Sequence, residues 1–403
     1  MRICGGNKMK ELATSMGITL QHGDMACSQA EGISENMVCD ADLYGISDPV
    51  HYLDAFFDEE VDPIQAAKTI FNTVKGGYAC AARKEGTTYL LRDPIGFKPL
   101  YYRDRNFASR NIVCGQPVLP GEVVQLPGTI CYRHGLEDRF TDDPAEVLDI
   151  LRKSTQQQID KGSALMFSGG IDSTLLAFLS NNLLVSCGLE TSQDIAGARQ
   201  AASILGKEIL EIVVSPRDIE KAIPHVCALL SEVTLLNVEI GLLLFFICQE
   251  YGGTLLISGQ GADELFGGYF KYEKAYKEGA HVHSMMREDL ENIHLGLERD
   301  YQVAEHFSKT VRYPYLDIHL METVLGIPTY LHFIPRRKEF LRKVATLAGI
   351  PRALVSRPKK ALQYGSGIHQ VVRAHTSLLN SLSHNHYQKE SEIGPVDRSR
   401  RGR

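Results

Sequence analysis

Residues 164–179, ALMFSGGIDSTLLAFL, carry a short apolar segment into Ser168-Gly169-Gly170 and straight on into a leucine-rich stretch with helical spacing. The pattern reads as a buried strand, a glycine turn and a helix. In a doubly wound sheet such a turn lies at the carboxyl edge, where free backbone N–H groups and the positive end of the next helix favour an anion. Gly169 and Gly170 let the backbone approach a phosphate without a Cβ clash, and Ser168 and Ser173 add hydroxyl donors. Asp172 fits an anion cradle if it holds Mg2+ that bridges to phosphate oxygens. The lysine of a G-x-x-x-x-G-K-[ST] loop is absent from this stretch, so transfer of a γ-phosphoryl group in that manner is not expected.

A second stretch has the same grammar. In GTLLISGQGADELFGGY, residues 253–269, an apolar strand runs into Ser258-Gly259-Gln260-Gly261 and then into acidic Asp263 and Glu264 at a helix start. Each cluster alone has a plainer reading as a tight turn with an aspartate cap, which the pair in this order does not favour. Two strand–glycine–helix junctions, each with an aspartate, imply one metal–pyrophosphate site with Asp172 and Asp263 as metal ligands.

The surrounding chain is consistent with two domains. It has 403 residues and 44% hydrophobic content, enough for ordinary cores. Apolar strands at 164–167, 183–187, 209–214 and 254–257 alternate with helical stretches, the rhythm of a parallel α/β sheet. Before about residue 140 the pattern is β-rich, with strand pairs in GGYACAARKEGTTYLLRD and GEVVQLPGTICYR. The expected division is therefore 1–140, 141–375 and a flexible tail at 376–403.

Composition narrows the classes further. The longest apolar run, Ile240 to Cys248, is short of the roughly 20 residues of a membrane helix, and the opening MRICGGNKMKEL lacks a signal-peptide core. A cytoplasmic protein is the expectation. Nine cysteines without a C-x-x-C pair argue against a zinc knuckle or a dense disulfide framework. A net charge of -6 gives no general attraction to nucleic acid. His281-x-His283 and His384-x-His386 lack a third metal ligand at a recognisable spacing and read as surface.

SGGIDS together with SGQGADELFGGY closely resembles the synthetase domain of the asparagine synthetase family, in the pyrophosphatase-loop superfamily. RDPIGFKPLYY (92–102) is similar to a segment near the end of that family's glutaminase domain, and MGITLQHGD (16–24) to a shortened HRGPD region. VRYPYLD (311–317), KEFLRKVA (338–345) and SRPKKALQYGSG (356–367) resemble its VRVPFLD, K-x-x-LR helix and lysine-bearing loop. The resemblance implies a truncated Ntn-hydrolase-like α+β domain followed by an adenine nucleotide alpha-hydrolase-like α/β domain.

It also implies ATP at Ser168, Gly169, Gly170, Asp172 and Ser173 and at Ser258, Gly259 and Gly261, with Gly188 and Leu189 near adenine and ribose. Asp172 and Asp263 would bind Mg2+, and Lys359 would neutralise developing charge, a task Lys360 beside it could equally fill. In the family a carboxylate attacks the α-phosphate, pyrophosphate leaves, and an amine displaces AMP. The implied partners are a small carboxylate, L-aspartate by default, and an amine. Neither nucleic acid nor membrane is expected, and a homodimer is compatible.

Two departures modify that expectation. The family's glutaminase nucleophile is an amino-terminal cysteine whose own α-amino group acts as base, whereas here Cys4 follows three residues and only seventeen separate it from His22. Asp40-Ala41-Asp42-Leu43-Tyr44-Gly45 stands where the family reads NGEIYN, so ammonia or another amine is favoured over glutamine. In the second half, Thr310 occupies the position of a catalytic Glu, and a threonine is not a base at neutral pH. If residues 300–310 are helical, His306 lies one turn before Thr310 with Glu305 close by and either could substitute, although an exposed helix face is the plainer reading of both. Two rival readings stay open: an intramolecular amide-forming cyclase like the β-lactam synthetases, and a nucleotide-binding regulatory protein that lost catalysis.

Overall fold

A computed structural model describes residues 2–5, 20–22, 25–27, 33–110, 115–357, 366–376 and 379. The described chain forms two compact units. One runs to Gly135 and includes Glu291–Glu298; the other comprises Leu136–Leu290 and continues from Arg299.

The first unit holds two antiparallel sheets. Its strands are β1 (Ile3–Gly5), β2 (Leu20–His22), β3 (Met25–Cys27), β4 (Met37–Leu43), β5 (Gly76–Lys84), β6 (Thr87–Arg92), β7 (Tyr101–Arg103), β8 (Asn106–Ala108), β9 (Gln116–Pro117), β10 (Glu122–Gln125) and β11 (Thr129–Arg133). One sheet is ordered β2-β3-β1-β8-β7-β9 and the other β11-β10-β6-β5-β4. Side chains along the second sheet alternate between two cores, as the two-residue period of a strand requires. Val38, Ala79, Ala81, Leu90 and Val124 pack toward Ile3 and Phe107 of the first sheet and Leu100 just before β7. Met37, Cys39, Cys80, Leu91 and Val123 pack against helices Pro49–Glu59 and Pro63–Thr73. Each of those helices begins with proline behind an aspartate cap, the arrangement that suits a helix N-terminus. Both strand pairs expected from the sequence are present, the first around Glu85 and Gly86 with positive φ.

The second unit is built on a five-stranded parallel sheet, β14-β13-β12-β15-β16. The strands are β12 (Ala164–Met166), β13 (Leu183–Leu189), β14 (Ile209–Val214), β15 (Leu255–Ile257) and β16 (Thr310–Arg312). Helix Leu235–Glu250, apolar nearly all round, lies buried in the core beside the sheet, as a helix without a polar face must. The chain winds outward from β12 through β13 to β14, then returns to add β15 and β16 on the other side of β12. The order reverses between β12 and β15, so the turns leaving those two strands diverge from one crevice. Both glycine clusters occupy those turns. Among the described residues, no helix is long and apolar enough to cross a membrane.

One expected element is replaced. Residues 300–310 are not a continuous helix: helix His294–His306 stops, Ser308 takes a left-handed φ of 55°, and the chain enters β16 at Thr310.

Candidate active site

The first cradle follows β12. Gly169 has φ +71°, and a Cβ there would fall 2.8 Å from the carbonyl oxygen of Gly197, so only glycine fits this turn. Gly170 is the N-cap of helix Ile171–Leu179 and no side chain caps it, which leaves first-turn backbone N–H groups available to an anion. Ser173 Oγ donates to Gly170 O (3.3 Å) and accepts from Ser168 N (3.4 Å), so the serines brace the turn. Asp172 lies in the first helical turn.

The second cradle follows β15. Ser258 N donates to Arg312 O at 2.9 Å, which ties the turn to the neighbouring strand, and Ser258 Oγ accepts from Gln260 N at 3.2 Å. Gly261, at φ +93°, leads into the short helix Ala262–Leu265 that carries Asp263 and Glu264. The two turns touch: a Cβ on Gly259 would lie 3.7 Å from Cβ of Asp172 and 3.6 Å from Ser173 N.

Asp172 and Asp263 meet on one cation. Lys338 Nζ is 2.5 Å from Asp263 Oδ1 and also bonds Asp172 Oδ1. Lys338 is 1% exposed, whereas the two aspartate side chains keep 20% and 25% of their surface, facing the crevice from the cradle side. Burial lowers the lysine pKa, and the charge and hydrogen bond of Asp172 oppose that. Room for this triad comes from Gly268, where a Cβ would fall 1.8 Å from Asp263 Oδ1 and 2.3 Å from Lys338 Cε. Tyr315 OH donates to the Asp172 carbonyl at 3.0 Å, which brings the VRYPYLD segment against the first cradle. Beside Asp263, Glu264 is buried, its pKa raised by burial, and it accepts from Tyr269 OH at 2.6 Å.

Gly188 and Leu189 lie at the carboxyl end of β13, on the same edge of the sheet, where Leu189 N donates to Ser366 O at 3.0 Å. Thr310, Glu305 and His306 are not brought to the cradles. They lie around the entry to β16, whereas both cradles lie at strand exits. Thr310 N bonds Thr254 O ahead of β15, and Lys309 Nζ bonds Tyr251 O at 2.6 Å. The expected His306–Thr310 helical face does not exist, because the helix has ended at His306. His283 is not loose surface: its Nε2 lies 3.2 Å from Asp138. Lys359, Lys360, His384 and His386 lie outside the described residues. Sequence reading gave Lys338 no role, although it begins the KEFLRKVA stretch already matched as K-x-x-LR.

In the first unit, Cys4 is fully buried in β1, paired on one side with Ala26 and on the other with Ala108. Asp40, at the NGEIYN position, is fully buried 3.1 Å from Lys98 Nζ. Burial pulls the Lys98 pKa down, and Asp40 and Asp42 more than offset it, so its net direction is up.

Paired glycine turns at the switch point of a parallel sheet, with an acidic residue from each, make the ligand-binding crevice of a doubly wound α/β enzyme. The asparagine synthase family model matches residues 146–280 and 273–398, and the chain belongs to that family of ATP-dependent carbon–nitrogen ligases. It is 26% identical to a putative asparagine synthetase [glutamine-hydrolyzing] 1 from Methanocaldococcus jannaschii, over 82% of this chain and 77% of that one. It is 28% identical to the asparagine synthetase [glutamine-hydrolyzing] of Gallus gallus, over 53% of this chain and 41% of that protein, so it spans about two fifths of the bird enzyme's length. Among solved structures, NMN synthetase from Francisella tularensis aligns with 62% of this chain and 97% of its own at TM-score 0.31 and 13% identity. An NH3-dependent NAD synthetase from Campylobacter jejuni aligns with 62% and 95% at TM-score 0.28 and 16% identity.

Proposed function

We propose that this chain adenylates a small carboxylate, L-aspartate by default, and passes the acyl group to ammonia or another amine rather than to glutamine-derived nitrogen. The observation that carries the reading is the convergence of Asp172 and Asp263, from two separate glycine cradles, on one buried cation.

The position of Lys338 is also the fit test for a metal. Two carboxylates that share an ammonium form a cation site, and Asp172 and Asp263 are the residues that would hold Mg2+. When bound, Mg2+ would neutralise the triphosphate and stabilise charge on the departing pyrophosphate.

The chain's own groups do the rest. Amides at the start of helix Ile171–Leu179 and the Ser168 hydroxyl bind phosphate oxygens. The substrate carboxylate oxygen bonds the α-phosphorus, the α–β bridging bond breaks, and pyrophosphate takes the electron pair; the amine then bonds the acyl carbon, the acyl C–O bond breaks with its electron pair going to AMP, and the nitrogen's extra proton passes to the departing AMP phosphate or water. Lys338, buried against the acidic pair, adds a positive charge on their side of the leaving group. Thr310, Glu305 and His306, at the far edge, receive no part in deprotonating the amine.

A cyclase acting on a larger substrate gains from one feature. Phe270 is 66% exposed two residues after Gly268, with the Arg337 guanidinium 5.8 Å from its ring, an apolar surface with a cation beside the acidic pair. Pyrophosphate release with Mg-ATP is the test, run with aspartate plus ammonium, aspartate plus glutamine, and a panel of apolar amino carboxylates. Release that requires aspartate and ammonium supports the proposal. Release only with a bulky substrate, or none above an Asp172→Ala control, overturns it.

A further inference from the structure

Two arginines that this scheme leaves unused lie behind the first cradle. Arg342, one turn into helix Glu339–Leu347, is 5% exposed; its Nη2 donates to Arg357 O at 3.1 Å and its Nη1 bonds Val355 O. Arg357, so held, reaches the glycine turn. Its Nη1 donates to Gly197 O at 2.8 Å and Gly169 O at 3.4 Å, and its Nη2 donates to Gln200 Oε1 at 2.7 Å. The guanidinium is packed so closely that a Cβ on Gly169 would lie 3.0 Å from Nη1.

The peptide between Gly169 and Gly170 joins two residues without a Cβ, so steric hindrance to its rotation as a unit is minimal. A planar trans peptide points its C=O and N–H in opposite directions. While Gly169 C=O is drawn toward Arg357, the N–H of Gly170 must face the other way, the side on which Ser168 Oγ sits 3.4 Å from it. A flipped peptide would present an oxygen to the phosphate instead.

We infer that Arg357 is a positioning residue that locks the Gly169–Gly170 peptide with its N–H toward the phosphate, and that Arg342 holds Arg357 in place for this task. Three acceptors, two carbonyls and one amide oxygen, are held by one planar fork, a geometry that the single rotating ammonium of lysine does not reproduce. The inference rests on the nucleotide reading of the cradle for its functional consequence, but the lock itself is a property of the nucleotide-free chain.

The test therefore has two arms, with Arg357→Lys and Arg357→Ala compared against wild type. In nucleotide-free protein, amide hydrogen exchange of peptides covering 168–174 is expected to accelerate in both variants, and less strongly in Arg342→Met, while β13 and helix Leu235–Glu250 exchange as before. In equilibrium binding, the Kd for Mg-ATP is expected to rise about tenfold in both variants, the scale of one charged hydrogen bond, with KM for ATP moving more than kcat. Arg357→Lys matching wild type in both arms would mean that the planar fork is not needed to hold the turn, and the lock would be wrong. Unchanged exchange in both Arg357 variants overturns it as well. If wild type fails to bind Mg-ATP, the nucleotide reading falls while the exchange arm still decides the lock; if Arg357→Ala does not fold, Arg357→Lys carries both arms.

Discussion

The Asp93 loop of the first unit and the Asp172 loop of the second both match the family pattern, yet their carboxylates are engaged in opposite ways. Asp93 is fully buried, and its two oxygens accept five backbone N–H groups: Ile95 (3.1 Å), Gly96 (2.6 Å) and Phe97 (3.0 Å) on one, Lys98 (3.2 Å) and Tyr78 (3.2 Å) on the other. Arg92 beside it donates to the carbonyls of Lys98, Val118 and Gly96. That loop is closed upon itself. Asp172 and Asp263 share buried Lys338 but keep part of their surface exposed, so a cation can still reach them. An aspartate after an apolar strand is thus a scaffold part or a reagent according to whether backbone N–H groups saturate it.

The largest expected effect tests that distinction directly. Asp172→Ala should cut pyrophosphate release by about 100- to 1,000-fold, the scale of losing one preorganised electrostatic contact, with unchanged circular dichroism. Asp93→Ala should do the reverse. Orphaning five N–H groups in a buried loop should cost about 3 kcal/mol in denaturant titrations while activity per folded molecule holds. A stability loss in the first variant with full activity, or an activity loss in a well-folded Asp93→Ala, would erase the difference between the loops.

Protons offer a smaller lever that both regions share. His332 packs among Phe266, Phe333 and Phe340 behind the second cradle, and burial, aided by His283, pushes its pKa down to about 3. His294 in the first unit is lowered to about 3 by burial and then by Arg92. The unfolded chain, with histidines near pH 6.5, binds more protons than the native one between those values. The stability contributed by each neutral histidine is therefore complete above pH 6.5 and lost toward pH 3, at up to about 1.4 kcal/mol per pH unit. Denaturant midpoints at pH 7.5, 6 and 5 should fall in wild type, and His332→Phe should flatten the fall. A variant that keeps the wild-type slope would show that His332 is not held neutral.

Legibility in the sequence followed locality. Strands at 183, 209 and 255 were readable because apolar runs and glycine turns mark their bounds, and both cradles because their chemistry lies within six residues. β16 was hidden: it is three residues long, and the turn before it uses Ser308 at φ 55° where a glycine or asparagine would have announced a helix end. That one turn is why Thr310, Glu305 and His306 were expected on a helical face that does not exist. Lys338 was half legible, since its motif was recognised but not its partners. Arg342 and Arg357 were half legible in the same way: KEFLRKVA and SRPKKALQYGSG contain them, but side chains that bond distant carbonyls leave no spacing signal for those partners.

The smallest effect is expected at Cys4. A nucleophile that uses its own α-amino group must have that nitrogen beside the substrate, whereas Cys4 is fully buried in β1 between β3 and β8. Its thiol packs where a reagent cannot reach. Cys4→Ala should leave ammonium-dependent pyrophosphate release within about twofold and cost about 1 kcal/mol of stability, the ordinary loss for a small change in a core. Wild type and variant alike should release no glutamate from glutamine. Glutamate release by wild type that vanishes in Cys4→Ala would mean that the first unit rearranges to expose this strand and works as a second reaction centre. The contrast between a saturated first unit and a reactive second one would then hold only for the resting chain, and the nitrogen source would have to be reassigned to glutamine.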